Sequence, residues 1–302
     1  MKYFEVEFTI SPYSADASDL LAAIAGEAGF ETFEETESGL KGYVQQQLFA
    51  EETLQEALAD FPFEDTAISY DIREAEERDW NEQWEQEGFE PIVVKREQPD
   101  KDSEEQPCIV IHDGRHLPEP SLLTGHASHF SIEIDARMAF GTGTHETTRM
   151  ICGELLELTD GGKRFSRVLD CGTGTGILSI CALKLGAKEA VGYDIDEWSV
   201  DNARHNAVIN CVDDRFTSLL GDASILNNVE GRFDLVMANI NRNILLADLP
   251  LFRKKMNEKG ILILSGFYTA DCPMLTDRAQ TLGLTLQKQI EDQDWACLVF
   301  NA

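Results

Sequence analysis

The sequence predicts an α/β chain built in two parts: a mostly parallel seven-stranded sheet with helices on both faces, preceded by a small α+β sandwich. Three observations carry that expectation. From about residue 145 helical and strand patterns alternate to the end of the chain, as they do where βαβ units build a parallel sheet. Within that alternation, Asp170-Cys171-Gly172-Thr173-Gly174-Thr175-Gly176 joins a short apolar run to an apolar, Ala- and Leu-rich segment. This reads as a glycine turn between a strand and a helix. The first seventy-odd residues instead follow the order βαββαβ, which suggests a ferredoxin-like sandwich.

In the front part, residues 2–10 alternate like a strand, with Phe4, Val6, Phe8 and Ile10 on one side. Residues 19–28 place Leu20, Leu21, Ile24 and Ala28 at helical spacing and end at Gly29. Residues 30–36 and 40–48 form two strands joined at Ser38-Gly39, 51–59 a second helix and 66–72 a fourth strand. Residues 74–88 are highly charged and carry Trp80 and Trp84 four apart, as on one face of a connecting helix. Residues 98–106 read as an exposed loop. Strands at 91–95, 108–112 and 130–134 lead into the second part. The expected divisions are thus a front module over 1–73, a connecting helix with small strands over 74–135, and a large α/β domain over 136–302.

In that large domain a helix over 146–158 precedes a strand at 168–170, and a helix over 177–185 precedes a strand at 190–194. A helix over 197–209 is followed by strands at 215–220 and 233–239. A helix over 243–256, a strand at 260–265 and a helix over 270–281 come next. Two strands, 284–290 and 295–300, close the chain as an antiparallel edge.

Charge and cysteine usage narrow the setting. The net charge is −30; residues 1–106 hold 29 acids against 7 bases, a net of −22. Such a surface repels phosphate backbones and attracts basic partners, so direct nucleic-acid binding by the front part is not expected. The seven cysteines are scattered without a C-x-x-C pair, as buried small hydrophobes in a reducing cytoplasm are. The chain has no apolar run of eighteen residues, so no membrane span is expected. Histidines 112, 116, 126 and 129 lack a familiar ligand spacing, and no metal is assigned to them.

The glycine turn points to S-adenosylmethionine rather than to a dinucleotide. A dinucleotide fingerprint wants a further glycine three positions after Gly174, and position 177 is Ile. Asp170 stands two residues before the first glycine. Twenty-four residues on, Asp194 ends the next apolar run, where a carboxylate can accept hydrogen bonds from both ribose hydroxyls. Two further loops belong at the same end of the sheet. Gly221-Asp222-Ala223 offers Asp222 to an adenine amino group or is a plain surface turn. In Ala238-Asn239-Ile240-Asn241, Asn239 offers a neutral amide to an attacking amine or is a turn residue. Upstream, residues 139–148 read Ala-Phe-Gly-Thr-Gly-Thr-His-Glu-Thr-Thr, a tight loop with four threonine hydroxyls; His145 reads more readily as a cap neighbour than as a proton acceptor.

Residues 139–148 together with Asp170-x-Gly-x-Gly-x-Gly-Ile-Leu-Ser-Ile resemble the signature of the bacterial methyltransferases of large-subunit ribosomal protein eleven. So do Ala182-Leu183-Lys184-Leu185-Gly186-Ala187, Asp194-Ile195-Asp196, Ala238-Asn239-Ile240, Leu264-Ser265-Gly266 and the late Trp295. The resemblance implies a class I methyltransferase fold, Rossmann-like, with the front module as substrate-recognition domain. It implies S-adenosylmethionine contacts from Thr148, Gly172, Asp194 and Asn239. It also implies, as acceptors, the terminal α-amino group and lysine side chains of the basic ribosomal protein, each methylated up to three times. Asn241-Arg242-Asn243 departs from the small and apolar residues usual after the Asn-Ile pair.

No dedicated base is required by such a reaction, and none is assigned. Phe267, Tyr268 and Trp295 offer ring faces to methylated cations and serve equally well as core. Two alternatives stand beside this reading: a methyltransferase of another protein or small amine, and a non-catalytic module whose cofactor site tunes partner affinity.

Overall fold

A computed structural model describes residues 3–36, 38–46, 49–59, 61–63, 66–74, 88–96, 107–120, 129–136 and 141–302. The helix expected over 74–88 with Trp80 and Trp84, the loop at 98–106, His126, Ala139 and Phe140 lie wholly or mainly outside them. The chain divides into two compact units, Met1–Glu82 and Gln83–Ala302.

The first unit runs β1 (Tyr3–Ser11), α1 (Ala15–Glu27), β2 (Phe30–Thr36), β3 (Gly39–Gln45), α2 (Glu51–Ala59) and β4 (Ala67–Glu74). Its sheet has the order β2-β3-β1-β4 with every pair antiparallel, the ferredoxin-like arrangement. Period-two alternation in β1 turns Val6, Phe8 and Ile10 into a core shared with Leu21, Ala25 and Leu54. The opposite face is polar: Glu5 takes Lys41 Nζ at 3.3 Å and the Tyr43 hydroxyl at 3.4 Å. Burial and the carboxylates of Glu34 and Glu5 push the Tyr43 phenol up to about 12. Helix α1 begins four residues ahead of the apolar pattern because the Ser14 side chain accepts from Ala17 N–H at 3.2 Å and caps it.

The second unit opens with β5 (Ile92–Val94), β6 (Cys108–His112) and β7 (His129–Glu133), a three-stranded sheet in that order. There follow α3 (Glu146–Asp160), β8 (Arg167–Cys171), α4 (Ile177–Lys184), β9 (Glu189–Asp194), α5 (Glu197–Ile209), β10 (Phe216–Leu220) and β11 (Phe233–Asn239). Then come α6 (Arg242–Lys255), β12 (Met256–Tyr268), α7 (Cys272–Thr281), β13 (Thr285–Asp292) and β14 (Trp295–Asn301).

The large sheet has the order β10-β9-β8-β11-β12-β14-β13. Its first five strands are parallel, and β14 runs antiparallel between β12 and β13. Strands buried on both faces read as continuous apolar runs. In β11, Leu235 and Met237 enter the core under α3 and α4, while Val236 and Ala238 enter the core under α6 and α7. Ile109, Ile111, Ile132 and Ile134 of the small sheet join the first of these cores.

The chain leaves β8 toward β9 on one side and returns as β11 on the other, so strand order reverses between β8 and β11. Open α/β sheets bind ligands in the crevice at the carboxyl ends of such a pair. Ala238 lies opposite Cys171 in the register, which brings Asn239 beside the start of the glycine turn.

Candidate functional site

The glycine turn stands on a buried carboxylate. Asp170 is fully buried, and its Oδ2 accepts from Thr173 Oγ1 at 2.8 Å, Ser179 Oγ at 2.8 Å and Ser179 N–H at 3.2 Å. These bonds tie both ends of the turn to the last residues of β8. Asp170 Oδ1 is also buried and has no partner. Burial raises the Asp170 carboxyl to about 6, against the lowering effect of the Ser179 and Thr173 donors.

Above that carboxylate the backbone turns through left-handed conformations at Gly172, Gly174 and Gly176, with φ of 73°, 51° and 82°. At Gly172 the requirement is also spatial, since a Cβ would come within 2.4 Å of Ile240 Cγ2 across the crevice.

Asp194, at the end of β9, faces the turn. Its Oδ2 accepts from Gly174 N–H at 2.9 Å and its Oδ1 from Asp196 N–H at 3.1 Å. One N–H on each oxygen fixes the carboxylate plane and leaves a second lone pair per oxygen for a ligand hydroxyl. Ile195, immediately after it, is 74% exposed.

Thr148 and Asn239 meet. Asn239 Nδ2 donates to Thr148 Oγ1 at 3.4 Å, across 91 positions of sequence. The amide is thereby oriented with its carbonyl oxygen available as an acceptor. Gly172, Asp194, Asn239 and Thr148 therefore belong to one crevice at the carboxyl ends of β8, β9 and β11.

The threonine-rich loop is pinned on several sides. Thr142 and Thr144 share a hydroxyl bond of 2.7 Å, and the Thr175 hydroxyl of the glycine turn donates to Gly141 O at 2.5 Å. Arg149 donates to Thr144 O, to Glu146 Oε1 at 3.1 Å and to Asp292 Oδ2 at 3.2 Å. His145 caps α3, its Nδ1 accepting from Thr147 N–H at 3.3 Å and lying 2.9 Å from the Thr147 hydroxyl. Of its two sequence readings, cap neighbour and proton acceptor, the geometry supports the first and makes it the cap itself.

Four other residues singled out from the sequence fall into place. Asp222 is exposed and caps a short 3-10 turn, accepting from Ser224 N–H at 2.8 Å. Hydrogen bonds from the Ser224 hydroxyl and from its N–H lower the Asp222 carboxyl below the ordinary range. Phe267 is core, buried with Leu264 and Leu298. Trp295 instead stacks on Tyr268, ring centroids 4.5 Å apart, and meets His145 edge-on at 4.7 Å. Tyr268 is 53% exposed, so this aromatic group reaches the surface beside the first turn of α3.

Asn241, part of the departure after Asn239-Ile240, is the N-cap of α6 and accepts from Asn243 and Ile244 N–H at 3.1 Å each. Arg242 reaches Asp271 at 2.7 Å. The histidines near 112 are occupied locally: His112 Nε2 meets Ser131 at 2.8 Å and His116 Nδ1 meets Asp113 at 2.7 Å. Among the described residues no group of three or more His, Cys, Asp or Glu converges where it could hold a metal ion.

Sequence reasoning misses Thr175 as a link between the two loops, and it misses the asparagines of α5. Their signal is a buried polar residue every fourth position, Asn202, Asn206 and Asn210.

The raised Asp170 carboxyl sets a pH dependence. Between its ordinary value of 3.8 and about 6 the folded chain holds a proton the unfolded chain has lost. Stability contributed by this group is complete below 3.8 and is lost as pH rises through about 6. Asp170→Asn removes that slope. Thermal unfolding from pH 4 to 7 should show the wild type losing stability relative to the variant; parallel curves would contradict the assignment.

Three comparisons place this geometry. The profile of the family described as Ribosomal protein L11 methyltransferase (PrmA) matches residues 15–302. The Ribosomal protein L11 methyltransferase of Phocaeicola vulgatus is 43% identical over 300 residues, 99% of each chain. That of Bacteroides fragilis is 45% identical over 300 residues, again 99% of each. The crystal structure of ribosomal protein L11 methylase from Lactobacillus delbrueckii subsp. bulgaricus aligns with a TM-score of 0.53 and 28% identity. It covers 65% of this chain and 94% of that one. With a profile match over nearly the whole chain and relatives above 40% identity, the chain belongs to the ribosomal protein L11 methyltransferase family.

Proposed function

We propose that this chain transfers methyl groups from S-adenosylmethionine to amines of large-subunit ribosomal protein L11, its terminal α-amino group and lysine side chains. The observation that carries the reading is the crevice itself: Asp194, oriented by Gly174 and Asp196, lies across the glycine turn from the Asn239–Thr148 pair. The residues present suit the cofactor. A buried Asp170 oxygen without a partner adjoins the turn. Gly172 lets the turn pass beside Ile240, whose Cγ2 a Cβ would meet at 2.4 Å, and the Asp194 oxygens keep lone pairs for two ribose hydroxyls. Thr148, Gly172, Asp194 and Asn239 are accordingly assigned to hold it.

When bound, S-adenosylmethionine supplies a methyl group already activated by its sulfonium. The protein's task is to align a neutral amine with it. A lysine with pKa near ~10.4 costs about 4–5 kcal/mol to deprotonate at neutral pH, and an α-amino group near ~8 about 1 kcal/mol. Removal from water into the crevice offsets part of that cost. The Asn239 carbonyl accepts an N–H of the neutral amine without pairing with it as an ion, and no side chain acts as a dedicated base. The exposed Tyr268 ring, stacked on Trp295, offers a face to a methylated ammonium leaving the crevice.

The front module, residues 1–73, is assigned to substrate recognition, with its acidity drawing a basic ribosomal protein. Most of the net charge of −30 falls in residues 1–106. No described helix is long and apolar enough to cross a membrane. All seven cysteines are free, which suits a reaction in a reducing cytoplasm.

Mass spectrometry of the purified ribosomal protein, after incubation with this chain and methyl donor, should show added methyls on amines in steps up to three per site. Asp194→Ala should weaken S-adenosylhomocysteine binding about 100-fold, the size expected for losing hydrogen bonds to a charged group. Unmodified protein with the wild type, or unchanged affinity in the variant, would overturn the reading. Glu5→Lys with Glu7→Lys should raise KM for the ribosomal protein several-fold at low salt and leave cofactor affinity unchanged. An unchanged KM would remove the docking role.

A further inference from the structure

Strand β7 is the edge of its sheet, yet the backbone at its carboxyl end is hydrogen-bonded on the open side by a helix. Asn210, the C-cap of α5, exchanges two bonds with Glu133, accepting from its N–H at 3.1 Å and donating to its carbonyl at 2.6 Å. Asn206 accepts from Asp135 N–H at 3.0 Å, and Asn202 donates to Asp135 O at 2.8 Å. The fit is geometric. Four helical residues advance about 6.0 Å and two strand residues about 6.6 Å, so amides at every fourth helix position keep step with alternate residues of an extended chain. All three asparagines are buried.

Asn206 differs from its neighbours. Its Nδ2 donates to Thr175 O at 2.9 Å, inside the glycine turn, as well as to Asn202 Oδ1 at 3.1 Å. The Thr175 hydroxyl in turn donates to Gly141 O, where the threonine-rich loop begins. Gly141 holds φ of 108°, and a Cβ there would lie 3.1 Å from Thr175 Oγ1, so the two loops are packed as well as bonded. One amide thus joins the strand that leads into the threonine loop to the turn that loop must face.

We propose that Asn206 is a positioning residue for the cofactor crevice: it sets the glycine turn against the threonine-rich loop before any ligand arrives. This rests on the cofactor reading given above. Asn210 supplies the matched comparison, because its side chain secures the same strand and stops at Glu133 and its own helix, at Asn206 O.

The test pairs Asn206→Leu with Asn210→Leu, each replacing a buried amide by an apolar side chain branched at the same atom. Both should lower the unfolding temperature. Asn206→Leu should also weaken S-adenosylhomocysteine binding about tenfold by calorimetry, the size of one lost buried hydrogen bond. Asn210→Leu should leave that affinity within about twofold. Hydrogen exchange without ligand should accelerate over residues 172–180 in Asn206→Leu and not in Asn210→Leu. That measurement needs no cofactor, so it judges the positioning role even if the wild type fails to bind the nucleoside and the cofactor reading falls. Should Asn206→Leu not fold, Asn206→Ser removes the reach to Thr175 with less disturbance and is read the same way. Equal affinities and equal exchange in the two positions would overturn the proposal.

Discussion

The Asp170 carboxylate, sealed at the end of β8, is the hold on which the rest of the second unit's site depends. Three donors from Thr173 and Ser179 converge on one of its oxygens. They fix the glycine turn at both ends, and the turn in turn presents Gly174 N–H to Asp194. A buried carboxylate is costly to ionise, and the hydroxyl and amide donors supply what water no longer does. The second oxygen carries no partner and faces no solvent.

From that hold the crevice follows by topology rather than by local sequence. Strand order reverses between β8 and β11, so the ends of these strands open side by side with no connection crossing between them. The register of β11 on β8 then sets Asn239 beside the turn. Helix α3 delivers Thr148 from above, its first turn closed by the His145 cap. The arrangement suits methyl transfer because the demanding chemistry resides in the donor, and the protein contributes alignment and exclusion of water.

How much of this was legible in the chain varies with the range over which the residues act. Strand β11, Phe233–Asn239, and helix α5, Glu197–Ile209, have the bounds their patterns indicate, because both are buried elements with clear periodicity. Strand β12 runs from Met256 rather than from 260; Asn257, Glu258 and Lys259 look like a loop, yet Met256 pairs with Phe233 ahead of a shift in register. Asn241 stands where a family pattern is broken, and its role is local cap chemistry that its residue type already favours. The Asn239–Thr148 contact joins residues far apart in the chain and emerges only once the sheet order is known. The α5 asparagines were invisible for the opposite reason: amides in a helix read as surface until an edge strand is found against them.

The most direct test of the account is a crystal structure grown with S-adenosylhomocysteine. The nucleoside should lie across the ends of β8, β9 and β11, with both ribose hydroxyls on the Asp194 carboxylate and the sulfur between the Gly172 turn and Asn239. A nucleoside bound elsewhere, or one in the crevice whose sugar leaves Asp194 uncontacted, would contradict it.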